Sequence, residues 1–186
     1  MRRTALAVLL TAPLGMAGCA SYAPVSPAFQ QSIDAPYNLG SGDRVRVTVF
    51  GEDGLSNVYA VDKAGYVAFP LVGPVPARGR TPRELEAAIA AKLRGGYLND
   101  PDVSVQVEQY RPFYIMGEVA AGGQYTYVPG MTVQNAVAIA GGYTPRAQQK
   151  TVDITRSVGG RILTGRVLAS DLVLPGDTLY IRERLF

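Results

Sequence analysis

The chain has 186 residues, which is enough for one medium-sized domain or two small ones, and its formal net charge is +3 at pH 7. Arg2 and Arg3 lie in a segment that we expect to be removed, so the remaining charges nearly balance. The other basic residues are scattered without interleaved aromatic residues, and the sequence therefore does not predict nucleic-acid binding. With no His and one Cys, the sequence excludes His-based acid–base catalysis, Ser-His-Asp and Cys-His sites, an intramolecular disulfide and nearly all zinc sites. We expect no cofactor and no bound metal.

Residues 1–18 have the pattern of a signal peptide. Arg2 and Arg3 give a positive start, and a short apolar run broken by Pro13 follows. This run is too short to predict a membrane-spanning helix.

The segment Met16-Ala17-Gly18-Cys19 resembles a bacterial lipobox, which implies a lipid on Cys19. The alternative is ordinary secretion with cleavage after Ala20. We favour lipidation because the single Cys of the chain stands at the one position where lipidation requires it. Ala20 stands where an Asp would indicate retention in the inner membrane, so the resemblance implies the outer membrane. Residues 19–36 contain Ser, Pro, Ala and Gln with little periodicity, and they are expected to form a tether between the lipid and the fold.

A first domain is predicted over residues 37–109. Gly40-Ser41-Gly42-Asp43 has the composition of a turn, and Val45, Val47 and Val49 then alternate with polar residues as in a strand with one buried face. The segments 58–61 and 66–69 flank a turn ending at Gly65, so a hairpin is expected there.

Further along this domain, residues 70–76 contain three prolines and are expected to form a loop. Thr81-Pro82-Arg83-Glu84 predicts a helix start with a capping box, because Thr can cap, Pro suits the first turn and Glu84 can reach back. The helix is expected to bury Leu85, Ile89 and Leu93, with Ala88 on the same face, and to end at Gly95-Gly96. Val103, Val105 and Val107 alternate as another strand.

A second domain is predicted over residues 110–186. We expect a strand over 113–119, a turn and a continuation through Tyr125 and Tyr127, then a short helix over 133–140 capped by Thr132. The segments 152–155 and 161–163 flank Gly159-Gly160 as a hairpin. Pro175-Gly176-Asp177 precedes a last strand and repeats the Gly-Asp turn of the first domain. The expected fold class is α+β and mainly β, with a small first domain followed by a β-grasp-like second domain.

Several stretches in both predicted domains carry a family resemblance. YNLGSGD at residues 37–43, with TPRELEAAIAAKL and YLNDPDVSVQV, resembles the polysaccharide biosynthesis/export family, the Wza-like export lipoproteins. Gly117-Glu118-Val119 and Pro129-Gly130-Met131-Thr132 resemble the SLBB β-grasp module, which follows the export domain in that family. Gly122 departs from a proline that the module often has.

Several residues invite a functional interpretation. Three pairs of carboxylates are close in sequence: Glu52 with Asp53, Glu84 with Glu86, and Asp100 with Asp102. Their spacing does not suit glycoside hydrolysis, so structural roles are favoured. Arg78 and Arg80 could meet an acidic glycan, although a solvated loop is the preferred interpretation. Tyr125, Tyr127 and Tyr143 could stack on sugars, but we favour packing or subunit contacts. The ligand-binding residues stay unknown.

The resemblance implies a lipid-anchored, periplasm-facing outer-membrane protein that forms a homo-oligomeric ring for capsular polysaccharide or exopolysaccharide passage. It implies an inner-membrane polysaccharide co-polymerase as a partner. Because only residues 182–186 follow the last predicted strand, a separate outer-membrane β-barrel is a further possible partner. The alternative is a monomeric periplasmic glycan- or ligand-binding β-grasp lipoprotein. A glycan-modifying enzyme is disfavoured because the sequence lacks His and well-separated carboxylates.

Overall fold

A computed structural model describes residues 27–184. The predicted signal peptide, Cys19 and the first part of the expected tether lie outside the described residues. Two separate hydrophobic cores organise the described chain. The N-terminal half (residues 37–109) surrounds one core, and the C-terminal half (residues 110–184) surrounds the other.

The N-terminal half contains five strands and one helix. They are β1 (Arg44–Val49), β2 (Asn57–Ala60), β3 (Tyr66–Phe69), β4 (Gly73–Pro76), α2 (Pro82–Arg94) and β5 (Val103–Gln109). Strand β1 lies between β2 and β5 in an antiparallel sheet, and β3 pairs with β4 in a second, two-stranded sheet. Val45, Val47 and Val49 are buried, as their alternation predicts.

Helix α2 begins and ends as predicted. The Glu84 backbone N–H donates to Thr81 Oγ1 at 3.2 Å, and Glu84 Oε2 accepts from the Thr81 backbone N–H at 2.7 Å. Leu85, Ile89 and Leu93 are fully buried against the sheet. The capping box and the apolar face are local features, which explains why the sequence predicts them well.

Two expectations for residues 58–76 are wrong in part. The turn at Gly65 forms with φ +93°, but Val61 and Val67 make only an isolated bridge across it. The preceding strand β2 pairs with β1 instead. The expected loop contains β4, which pairs with β3 from Phe69↔Gly73 to Tyr66↔Pro76. Among the described residues 27–184, strand β4 pairs with β3 alone, so its prolines are tolerated.

The C-terminal half contains five strands and one short helix. They are β6 (Phe113–Gly117), β7 (Gly123–Tyr125), α3 (Val133–Ile139), β8 (Thr151–Val158), β9 (Arg161–Leu168) and β10 (Thr178–Ile181). The sheet order is β7-β6-β10-β8-β9, and β6 and β10 run parallel at its centre. The two hairpins and the helix between them confirm the expected mainly-β α+β fold with a β-grasp-like arrangement.

Helix α1 (Pro27–Asp34) replaces part of the expected tether. It precedes the N-terminal half in sequence but contacts β8 in the C-terminal half. Phe29 is 1% exposed and belongs to the core of that half. The sequence shows little periodicity here, and tertiary burial of one aromatic ring stabilises the helix. Among residues 27–184, no helix is long and apolar enough to cross a membrane.

Candidate functional site at the junction of the two halves

The chain makes the same Gly-Asp turn twice. In the first turn, Asp43 donates its backbone N–H to the Gly40 carbonyl at 3.1 Å, and its Oδ2 accepts from the Gly40 N–H at 2.7 Å. In the second turn, Asp177 makes the matching bonds with Leu174, at 3.1 Å and 2.8 Å. Both aspartates are buried. The preceding residue has positive φ in each case, which favours glycine at that position.

Each buried carboxylate is paired with one arginine. Asp43 accepts from the Arg111 backbone N–H at 2.7 Å and from Arg111 Nη1 at 3.1 Å. The Tyr37 hydroxyl also donates to Asp43, at 2.6 Å. Asp177 accepts from Arg156 Nε at 2.9 Å and Nη2 at 2.7 Å in a bidentate pair. Pairing and hydrogen bonding offset the cost of burying these charges.

Arg111 lies between the two turns. Its Nε donates to the carbonyl of Pro175 at 3.1 Å, while its Nη1 donates to Asp43. A Cβ added at Gly176 would lie 2.8 Å from Arg111 Nε, and one added at Gly40 would clash with Arg111 Nη1. The two glycines therefore make room for the guanidinium, which links the N-terminal half to the C-terminal half.

Arg156 links α1 to the same region. Its Nη1 donates to Ser32 Oγ at 2.9 Å, and its guanidinium lies 4.3 Å from the centroid of the Phe29 ring. Helix α1 is thus held by an aromatic side chain in the core and by a polar contact at the junction.

Burial raises the pKa values of several groups at the junction, including Tyr37 and Asp177. Burial, followed by the hydrogen bond to Asp43, raises the pKa of the Tyr37 hydroxyl. Tyr37 therefore keeps its proton and donates it to Asp43 at neutral pH. Burial also raises the pKa of Asp177, and the pair with Arg156 opposes that rise.

A cleft of about 310 Å³ opens at this junction. Its walls come from the end of α1, the residues entering and leaving the N-terminal half, and loops of the C-terminal half. They include Ser32, Tyr37, Asn38, Tyr110, Arg111, Tyr127, Arg156 and Ser157. The three tyrosine rings in this lining are in edge contact. The ring centroids are 4.9 Å apart for Tyr37 and Tyr110 and 5.4 Å apart for Tyr110 and Tyr127.

None of the carboxylate pairs that the sequence singled out lines the cleft. Glu84 caps α2, and the hydrogen bond from the Thr81 backbone lowers its pKa. Glu86 Oε2 accepts from the Val105 N–H at 3.2 Å, and Asp100 occupies a turn with φ +53°. Within residues 27–184, no group of three or more His, Cys, Asp or Glu side chains could hold a metal ion.

The two candidate arginines lie in the N-terminal half, away from the lining of the cleft. Arg78 Nη2 donates to Ser41 Oγ at 2.6 Å and to the Lys63 carbonyl, so this exposed side chain joins two loops. The Arg80 carbonyl accepts from the Leu39 N–H at 2.8 Å. The contacts of Arg78 are structural and do not place it at the junction.

The three candidate tyrosines pack against the C-terminal core. The Tyr125 ring stacks on Phe113 at 5.9 Å, and its hydroxyl donates to the Ala121 carbonyl at 2.6 Å. The hydroxyl of Tyr143 is buried without a hydrogen-bond partner in the described part of the chain, and burial raises its pKa. Tyr127 is 9% exposed and also lines the cleft. Packing, the favoured interpretation, accounts for Tyr125 and Tyr143.

Sequence reasoning missed most of the junction. The sequence predicts turn roles for Asp43 and Asp177, and the repeat of the Gly-Asp turn is the available signal for a shared buried role. Nothing in the sequence pairs Arg111 with Asp43 across 68 positions. Tyr37, Tyr110 and Arg156 carried no role at all.

Comparison with known proteins gives matches to both halves. The sequence model of the family described as "Polysaccharide biosynthesis/export protein" matches residues 31–108, and that of the SLBB domain matches residues 112–165. Together the two ranges cover most of the chain and follow each other in the order of the two halves.

Curated relatives agree with these matches. The chain is 36% identical over 118 residues to the exopolysaccharide production protein ExoF of Rhizobium meliloti, covering 57% of this chain and 28% of the relative. It is 28% identical over 160 residues to the polysialic acid transport protein KpsD of Escherichia coli, covering 80% of this chain and 28% of the relative. The chain thus spans under a third of the length of these relatives. On these matches, the chain belongs to the polysaccharide biosynthesis/export protein family and carries an SLBB domain after its export domain.

Proposed function

We propose that this protein is a component of a machine that exports a capsular polysaccharide or exopolysaccharide across the cell envelope. The observation that carries the proposal is the tandem match of the export and SLBB family models to the two halves of the fold. The names of ExoF and KpsD, which refer to exopolysaccharide production and polysialic acid transport, support it. In this proposal the halves are two domains, with boundaries at residues 37–109 and 110–186.

The proposed mechanism is passage of the polymer without bond chemistry. It is supported by the roles of the carboxylates closest to a catalytic interpretation, because Glu84 caps a helix and Asp43 and Asp177 are each buried with an arginine. A purified sample that shortens the cell's own polysaccharide would contradict this part of the proposal.

The proposed location is the periplasmic face of the outer membrane, with a lipid on Cys19. The sequence motif around Cys19 supports the anchor. Residues 20–26 separate Cys19 from α1, and a fully extended chain of that length spans roughly 25 Å. Since α1 packs on the C-terminal half, the anchor would hold that half close to the membrane.

The proposed assembly is a closed homo-oligomeric ring that works with an inner-membrane polysaccharide co-polymerase and a separate outer-membrane β-barrel. Exposed apolar side chains on one face of the C-terminal sheet support subunit contacts. Tyr114, Met116 and Tyr180 are 42%, 47% and 49% exposed, and Tyr180 is the register partner of Met116. Exposed clusters of this kind are typical of protein–protein contacts.

Light scattering on the detergent-extracted full-length protein, beside Cys19→Ser, tests the ring. A large discrete oligomer is the expected result for the wild-type protein. A monomer in both forms would contradict self-assembly. For export itself, a strain lacking the protein should lose extracellular polysaccharide and regain it when the wild-type gene is restored.

A second candidate function is a monomeric periplasmic binding module for a glycan or other ligand. The cleft at the junction favours this candidate, because it combines aromatic rings with polar groups. A stable monomer that binds oligosaccharide, in a strain whose export does not depend on it, would support the binding module over the export component.

A further inference from the structure

We infer that the cleft at the junction binds one unit of an acidic saccharide. This inference rests on the proposed function and deepens it, because it names the part of the protein that touches the exported polymer. The cleft volume of about 310 Å³ lies near the lower end of the roughly 300–1,000 Å³ typical of small-molecule sites. It suits one or two sugar rings rather than a long segment of polymer.

The charge in the cleft favours an anionic group. Asp43 is 0% exposed and lies behind Arg111, whose side chain is 26% exposed. Asp177 is likewise covered, at 1% exposed. Arg156, the other charged residue that lines the cleft, is only 3% exposed, so among the lining residues Arg111 is the charged side chain that a ligand can reach.

Arg111 also has a free donor. Its Nε and Nη1 are used by Pro175, Tyr37 and Asp43, while Nη2 makes no hydrogen bond with any residue between 27 and 184. Because the other two nitrogens are fixed on both sides, the orientation of Nη2 is fixed too. A carboxylate oxygen placed against Nη2 would form a charge-assisted hydrogen bond with a pre-oriented donor.

The tyrosines supply the rest of a saccharide site. Tyr37, Tyr110 and Tyr127 line the cleft, and their rings meet edge to face. Aromatic rings with a polar end contact both the apolar faces and the hydroxyl groups of a sugar. Asn38 is exposed at the rim and makes no side-chain hydrogen bond within residues 27–184, so it is open to a ligand.

Calorimetry or ligand-observed NMR on the purified full chain tests the inference, with a tetramer of galacturonic acid as the acidic probe and a neutral galactose tetramer beside it. The acidic tetramer should bind with a Kd on the order of 1 mM or below and at least about fivefold more tightly than the neutral one. Equal binding of both tetramers overturns the acidic assignment, and binding of neither overturns the site.

A blocking variant locates the binding. Asn38→Trp places a bulky ring at the rim without removing a junction hydrogen bond, and it should weaken binding by at least about tenfold. Gln106→Trp, on an exposed strand position outside the cleft, is the matched control and should bind as the wild type does. Both variants are compared by thermal unfolding, so that a folding defect is seen separately. Unchanged binding by a folded Asn38→Trp overturns the assignment to this cleft.

The same variant separates this inference from the proposed function. If Asn38→Trp restores extracellular polysaccharide as well as the wild-type gene does, while deletion abolishes it, the cleft inference fails and the export function stands. If deletion leaves extracellular polysaccharide unchanged, the export function fails, whatever the binding measurements show.

Discussion

Removing the charge of Asp43 should destabilise the protein strongly, because this carboxylate is fully buried and accepts four hydrogen bonds. The donors are the Tyr37 hydroxyl, the Gly40 N–H, and the backbone N–H and Nη1 of Arg111, at 2.6 to 3.1 Å. Asp43→Asn keeps the shape of the side chain, but its amide NH₂ would face at least one of these donors. Breaking a buried ion pair by altering one partner lowers the free energy of unfolding by about 3–5 kcal/mol. The amide oxygen of Asn can still accept hydrogen bonds, so we expect Asp43→Asn to lie near the lower end of this range, at about 3 kcal/mol.

Urea unfolding of the mature chain, followed by circular dichroism, measures this change in the free energy of unfolding. Asp53→Asn is the matched control, since Asp53 is exposed and has no hydrogen-bonded side-chain partner within residues 27–184. The control should stay within about 0.5 kcal/mol of the wild type. Combining Asp43→Asn with Arg111→Met in a double-mutant cycle should give a coupling free energy of about 1–3 kcal/mol. A change below about 0.5 kcal/mol for Asp43→Asn would refute the account of the junction.

Four further outcomes follow from the described contacts. Phe29→Ala should lower the free energy of unfolding by about 3–5 kcal/mol if α1 is an integral part of the C-terminal core; an unchanged urea midpoint would contradict the packing of α1. Thr81→Ala should cost about 1 kcal/mol through loss of the α2 cap, measured in the same urea assay, and no loss would contradict the capping box. Gly176→Ala should cost about 1–3 kcal/mol because φ is +85° and the new Cβ would crowd Arg111; wild-type stability would contradict the close approach. The pKa of Glu84 in the folded state is lowered from the ordinary 4.5. The ionised carboxylate therefore stabilises the fold above pH 4.5, and this stabilisation is lost as the pH falls through the folded-state pKa. Glu84→Gln removes this group, so the free energy of unfolding should fall less steeply with decreasing pH in the acid range than it does for the wild type.

The features that the sequence predicted best are those that depend on neighbours along the chain. The cap and buried face of α2 depend on residues three or four positions apart, and the turn at Gly65 on four consecutive residues. Strand alternation in β1 and β5 also indicated the inward-facing valines, although Val107 at the end of β5 is only partly buried.

The features that it missed depend on partners far along the chain. Strand β4 contains two prolines, so its sequence predicts a loop. It forms a strand because it pairs with β3. Strand β2 pairs with β1 although the local turn favours β3. Helix α1 is stabilised by Phe29, whose partners lie more than 80 positions away in the C-terminal core.

The candidate site shows the same limit. The two Gly-Asp turns were visible as turns, because glycine before aspartate is local chemistry. That both carboxylates are buried, and that Arg111 lies between the turns, depends on how the two halves pack together. Sequence patterns carry no information on that packing.

The distribution of the polysaccharide across the envelope of a strain lacking only this protein tests the central proposal most directly. Polymer is quantified separately in the medium, at the cell surface and in the periplasmic fraction, in the deletion strain and in the strain with the gene restored. An export component predicts that polymer disappears from the medium and surface and accumulates inside the envelope, with normal distribution on restoration. Unchanged polymer outside the deletion strain would contradict the proposal.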